Sequence, residues 1–297
     1  MIHSLRKLYR PSNAPYIWML AGCFSFAFMG EFAHAVGPYC DWRVVALARS
    51  IIAMLLALIF ALATRSKLVF FTPGILWLRS CAGSLSLICT FYALTHMRTS
   101  EVLTLTNTFP IWVVFLSWPI LGVQPSLSIL FAALLGVFGI YLIQNPQLTL
   151  DEPSTSLPAI LALVAAISTA FAMLGLHRLR GINPWAIVVH FSSVASLFVL
   201  LTFLFGHLPS VSPLANVKIL LLLSGVGLTA TFGQICLTRA FIAGSPNRVS
   251  IVGLTQIIFA LGLDWLLIGS SFSASTLAGI GLVVAPTAWI MSHRGGN

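Results

Sequence analysis

LWLRSCAGSLSLICTFYALTHMRTSEVLTLTNTFPIWVVFLSWPILGVQPSLS, running from Leu76 to Ser128, is echoed from Leu223 to Ser275 by LSGVGLTATFGQICLTRAFIAGSPNRVSIVGLTQIIFALGLDWLLIGSSFSAS. In register, Ile88, Cys89, Ala93, Val102, Thr108, Ile111, Trp118, Gly122, Ser126 and Ser128 fall on Ile235, Cys236, Ala240, Val249, Thr255, Ile258, Trp265, Gly269, Ser273 and Ser275. Both copies keep one order of features: a long apolar run, a short polar break, a second run ending in Trp and Gly, and a third run. The chain therefore reads as one fold unit written twice.

The solvent of that unit follows from composition. Of the 297 residues 59% are hydrophobic and 7% charged, too few polar side chains to cover a soluble domain of this size. The formal charge of +9 could suggest nucleic acid, but the 15 Lys and Arg stand singly or in pairs between apolar runs and form no stripe. They read as topology signals, and no nucleic-acid partner is expected. Five Cys without a CxxC pair read as buried, reduced thiols.

Outward from the repeat, ten runs are long enough to cross hydrocarbon: residues 16–36, 42–63, 75–96, 102–121, 127–144, 157–176, 185–205, 218–240, 249–268 and 274–291. Breaks fall at Gly37-Pro38, Pro73-Gly74, Gly122 to Pro125, Asn145-Pro146, Asn183-Pro184 and Gly244 to Pro246. Ala33-His34-Ala35 mimics a signal-peptidase site. The run before it is longer than a usual signal core, however, and Glu31 sits just ahead of it, so the segment is kept as span 1. The expected division is a lead over 1–15, a first five-helix repeat over 16–145, an external linker over 146–156, a second repeat over 157–291 and a tail over 292–297.

If the N-terminus is cytoplasmic, the same side receives Arg65, Lys67, Arg178, Arg180, Arg239, Arg248 and Arg294, against Arg43, Arg98, Lys218 and the acidic Asp151-Glu152 opposite. Both termini are then cytoplasmic, in a multi-pass protein of the inner membrane. Five crossings reverse direction, so the second repeat is inverted relative to the first. The fold class is an all-α membrane protein of about ten helices in two inverted repeats, a plan that lets two near-equivalent halves rock around one central site.

Several stretches in this order resemble the EamA-type branch of the drug/metabolite transporter superfamily. They are Ala48-Arg49-Ser50-Ile51-Ile52-Ala53, Leu78-Arg79 with Gly83, Phe91-Tyr92-Ala93-Leu94 and Thr108-Phe109-Pro110-Ile111. In the second half they are Phe232-Gly233-Gln234, Thr238-Arg239-Ala240-Phe241, Thr255-Gln256 and Phe259-Ala260. The similarity spans about Tyr16 to Ile290. Many relatives carry Gly-Glu after the fourth and ninth helices, where this chain has Gly122-Val123-Gln124 and Gly269-Ser270-Ser271. The resemblance implies a secondary carrier of small organic solutes, often an exporter.

Charges inside spans are costly and need partners or water. Glu31 and Arg49 lie at similar depth from one boundary and are expected to pair, either as an outer gate or proton-responsive carboxylate or as a structural tie. Arg79 reaches either headgroups or an anionic group in the cavity; Asp264 reaches solvent or the cavity. Together these four are the gating or ion-coupling candidates. Uncharged polar groups suit a solute path better, because they hydrogen-bond without the full cost of buried charge. Asn107, Thr108 and Trp112 on span 4, Gln234 on span 8, Thr255, Gln256 and Phe259 on span 9, and Tyr92 on span 3 are the substrate-binding candidates. Helix glue is the alternative for the Ser, Thr, Asn and Gln among them.

Glu31-x-x-His34 has the spacing found in di-iron bundles, but the second motif such a site needs is missing from the sequence. No Walker loop, His-Glu-x-x-His helix or nucleophile elbow occurs. The sequence points to no enzyme and no cofactor or metal. The expected partners are the lipid bilayer, a small-molecule substrate and a coupling proton, with monomer and homodimer both open. The expected function is alternating-access movement of a small metabolite, an amino acid or related compound, in the export direction. A broad drug exporter and a non-transporting membrane sensor are the alternatives.

Overall fold

The computed structural model describes residues 13–71, 73–97, 99–124, 126–145, 153–204, 215–269 and 272–293. Arg98, Asp151, Glu152, Arg294, Ser270-Ser271 and most of the 1–15 lead and the 146–156 linker lie outside them. All regular structure among the described residues is helical: α1 (Ala14–Val36), α2 (Trp42–Ala63), α3 (Gly74–His96), α4 (Thr99–Thr106), α5 (Phe109–Leu121), α6 (Leu127–Gln144), α7 (Pro153–Arg178), α8 (Pro184–Thr202), α9 (Val217–Ala243), α10 (Pro246–Gly253), α11 (Gln256–Ile268) and α12 (Ala274–Ser292).

Starts and stops follow residue chemistry. Asp41, Asn183 and Asn216 accept from the amides of Arg43, Trp185 and Lys218 and so cap α2, α8 and α9. Pro15, Pro184 and Pro246 occupy first-turn positions, where a missing N–H costs no helical bond. Gly122 and Gly269, equivalent in the repeat, both end their helices in the left-handed region, with φ 73° and 72°. Their amides bond the carbonyls of Trp118 (2.9 Å) and Trp265 (3.0 Å), so the shared Trp and Gly of the sequence are one helix-ending device used twice.

Among the described residues ten stretches are long and apolar enough to cross a membrane, matching the ten expected. Spans 4 and 9 differ from expectation in being jointed: α4–α5 breaks at Asn107-Thr108 and α10–α11 at Leu254-Thr255. In the first, Pro110 has no amide to offer the helix before it. In the second, which has no proline there, Gly253 lets Met19 and Phe109 press close to the backbone. Tight i to i−3 bonds carry both joints, Thr108 amide to Leu105 carbonyl (3.2 Å) and Thr255 amide to Val252 carbonyl (3.1 Å).

Helix pairing obeys a pseudo-two-fold. The first helix of each repeat packs on the third of the other, α1 on α9 and α7 on α3; second packs on second, α2 on α8; fifth packs on fifth, α6 on α12. The α6/α12 crossing is the closest, because Gly139 and Gly279 face each other. A Cβ on Gly139 would stand 2.7 Å from the Gly279 carbonyl oxygen, and one on Gly279 2.5 Å from that of Gly139.

Packing is unequal between the two ends. The largest core unites Met19, Leu76, Val113, Leu176, Phe241 and Val249, all toward the end where α1 begins and α5, α7 and α9 finish. Arginines close that end by donating to helix-terminal carbonyls: Arg178 to Ile120, Arg180 to Ile242 (3.0 Å) and Arg248 to His293 (3.0 Å). A smaller cluster of Ala57, Ala61, Val188 and Ile235 lies beside it, and toward the other end the core consists of separate clusters. One holds Val36, Val45, Ile219 and Leu223 of α1, α2 and α9; another holds Ala93, Val102 and Ala162 of α3, α4 and α7. The broadest buried core and the arginine contacts thus lie at one end, with smaller clusters toward the other.

Candidate functional site

The two joints meet inside the bundle, where Phe109 at the start of α5 packs beside Leu254 and Ile257 and approaches Gly253. Cys23 of α1 donates to the Gly253 carbonyl (3.4 Å), and its neighbour Gly22 rests against the Gly233 carbonyl of α9. One turn of α1 therefore brings the span-9 joint and the Gln234 region of α9 to the same level.

At the joints the expected polar residues are partly committed to their own helices. Thr108 and Thr255 each donate their hydroxyl to a carbonyl three residues back, and the Asn107 amide donates to Leu103 (2.7 Å). Gln256 keeps partial exposure. Trp112 is half-buried against the main core, while Phe259 meets Phe24 edge to face at 5.5 Å. Tyr92 is not brought here: it stacks on His96, ~20 Å along α3 from Arg79 at the usual rise per residue.

The expected Glu31–Arg49 pair does not form. Arg43–Asp41, at 3.0 Å, is the ion pair among the described residues. Equal depth is not adjacency, since α1 packs chiefly on α9 whereas α2 packs on α8 and α9. Glu31 instead lies within electrostatic reach of Asp264 on α11 and of His34. Arg49 turns to the centre of the bundle.

Arg79 meets it there, and the headgroup alternative for Arg79 falls. Its side chain is 1% exposed, with Nη2 donating to Gln234 Oε1 (3.2 Å) and its guanidinium 3.8 Å from the Phe191 ring centre. Gly83 makes the space: a Cβ there would stand 2.7 Å from Nη1 and 2.9 Å from the Phe191 ring. The neighbouring residues fasten the arrangement. Ser80 bonds His190 Nδ1 (2.8 Å), and the Phe70 carbonyl bonds His190 Nε2 (3.1 Å), so α3 and α8 are latched beside Arg79 and Phe191. Arg49, Ser50, Phe191, Ser192 and Gln234 border a cavity of ≈ 10 Å³, about the room one water needs.

The family profile of EamA-like transporters matches residues 13–144 and again 156–292, one match on each five-span half. The chain belongs to the EamA-like transporter family. Over 264 residues it is 27% identical to the pseudopaline exporter of Pseudomonas aeruginosa, covering 88% of this chain and 90% of that protein. It is 25% identical over 254 residues to an uncharacterized transporter of Helicobacter pylori, covering 83% and 84%. A crystal structure superposes with a TM-score of 0.81 over 94% of this chain and 97% of that one, at 15% identity, a likeness of fold.

Within this EamA-like transporter, Arg49, Arg79 and Gln234, all named from the sequence, come together at the centre, whereas Phe191 as the ring under Arg79 and Cys23 as the partner of the span-9 joint carry no mark in the sequence. An aromatic in an apolar run carries no mark of the charge it will face. Gly83 was the available signal, since a glycine one turn after a buried arginine leaves space on the same helical face.

Proposed function

We infer that this EamA-like transporter is a secondary carrier that exports a small organic metabolite, an amino acid or related compound, by alternating access across the cell membrane. The observation that carries the reading is the pseudo-two-fold pairing of the two halves around two jointed spans, with the broadest core at one end. Residues 16–145 and 157–291 are the units that rock, with both termini and the arginine-closed end on the cytoplasmic side. Asn107, Thr108, Trp112, Thr255, Gln256 and Phe259 border the solute path at the joints, and Arg49, Arg79 and Gln234 at the centre. Glu31 and Asp264, toward the opposite end, respond to protons during the cycle. The exporter direction has support from the similarity to the pseudopaline exporter.

Counterflow in proteoliposomes loaded with pools of amino acids, organic acids, nucleosides and cationic dyes tests this reading. Saturable exchange of one metabolite pool is expected. Exchange restricted to the dyes would favour a drug exporter, and saturable binding with no flux in correctly oriented protein would favour a sensor.

A further inference from the structure

We propose that Arg49 and Arg79 form an anion subsite and that the transported solute presents a carboxylate to them, a deepening that rests on the export reading above. Two guanidiniums carry ten N–H donors between them. Among the described residues they make one hydrogen bond, from Arg79 to Gln234, and the Nε of each is shut off from solvent without a partner. The two charges lie close enough to repel. None of the described carboxylates forms an ion pair with either: the ion pair among the described residues is Asp41 with Arg43 at the start of α2.

Helix association alone does not need this arrangement, because uncharged polar residues or small side chains join helices without burying charge. What the arrangement suits is a planar anion. Guanidinium presents parallel N–H groups that match a carboxylate in two-point contact. Arg79 is held in advance for that contact, placed over the Phe191 ring, tied to Gln234 and flanked by the Ser80–His190 latch. Arg49 supplies the access. It stands deep among the helices yet keeps partial exposure, and it borders the central cavity. A space near the size of one water seats one carboxylate oxygen, and the surrounding helices must part to take the rest of the head.

The two repeats differ most at this point. Arg49 and Phe191 occupy the same place, eighth in α2 and eighth in α8, and Ser50 and Ser192 follow them. One half contributes the charge and the other the ring behind the second charge.

The test uses the full chain in detergent, with thermal unfolding followed while succinate, glutamate or malonate is added, against succinamide and malonamide and against sulfate at equal ionic strength. The proposal expects the midpoint to rise with at least one of these carboxylates and to stay unmoved by the amides and by sulfate. Arg49→Gln, whose partly exposed side chain should be lost without collapse of the core, is expected to weaken that binding roughly tenfold or more. Arg79→Lys, which keeps the charge and loses the fork, is expected to weaken it as well. Equal response to acids and amides, equal response to sulfate, no response to any of the acids, or unchanged affinity in Arg49→Gln would each overturn the subsite. The two readings fail separately: carboxylate binding at the arginines without counterflow sinks the carrier, and counterflow of uncharged solutes alone sinks the subsite.

Discussion

Thr108 and Thr255 make the same bond in the two halves of the protein. Each hydroxyl donates to the carbonyl three residues earlier, Leu105 and Val252, and both distances are 2.7 Å. The bond supports the tightened turn at each joint, since it adds a second donor to a carbonyl that the helix uses poorly there.

Replacing either threonine by valine is therefore expected to cost about 1 kcal/mol of stability, the usual net worth of one buried hydrogen bond, while serine is expected to restore it. Thermal midpoints of the purified variants decide this. Loss of flux at an unchanged midpoint would instead mark the hydroxyl as a solute ligand.

Gly139→Ala and Gly279→Ala are expected to lower stability by about 1–3 kcal/mol, because each new methyl meets backbone across the α6/α12 crossing. Gly281→Ala, two residues along α12 with nothing within 4 Å of its added Cβ, is the control and should be near neutral. Equal midpoints for Gly279→Ala and Gly281→Ala would refute the close crossing.

Gly83→Ala is expected to displace the Arg79 guanidinium from Phe191 and to destabilise by a similar amount, about 1–3 kcal/mol. Its charge complement is unchanged, so any loss of carboxylate response in this variant reports on position. Gly262→Ala, in open space on α11, should leave both readouts intact.

Acid should weaken the cap of α2. Arg43 holds the Asp41 carboxyl below the usual aspartate range, chiefly through its side-chain hydrogen bond. A carboxylate more acidic in the folded state contributes stability that is fully present above its unfolded value and lost as pH falls through its folded value. The loss is thus expected below about pH 4. Comparing the acid limb of unfolding for the wild type with Asp41→Asn, which still caps but does not titrate, isolates this contribution.

Glu31→Gln is expected to flatten the pH dependence of exchange while leaving solute affinity within about twofold, since Glu31 forms no ion pair with either central arginine. Counterflow measured from mildly acidic to mildly alkaline pH checks it; an unaltered pH profile would remove Glu31 from the coupling step.

The spans and their inversion were legible because a bilayer demands about twenty apolar residues per crossing and because Gly122 and Gly269 had to be glycine to end a helix in the left-handed region. The joints were not. Asn107-Thr108 and Leu254-Thr255 sit in runs whose hydropathy is that of a continuous helix, and the residues that crowd Gly253 at the second joint, Met19 and Phe109, are more than a hundred residues away in sequence. Depth along a helix was also legible, from the rise per residue; which neighbour a side chain faces was not. Glu31 and Arg49 share a depth and lie on helices with different principal partners, whereas Arg79 and Gln234, far apart in sequence, share a hydrogen bond.

The unlike residues at matching places make each half the complement of the other and not its duplicate. Two copies of the first half, joined head to tail, would gather Arg49 and Arg79 twice over and set four unneutralised cations in one interior. Two copies of the second half would put Phe191 and Val226 where the arginines stand and leave no cation there. Neither half can serve as its own partner, so separate expression of the halves should give function only when both are made together.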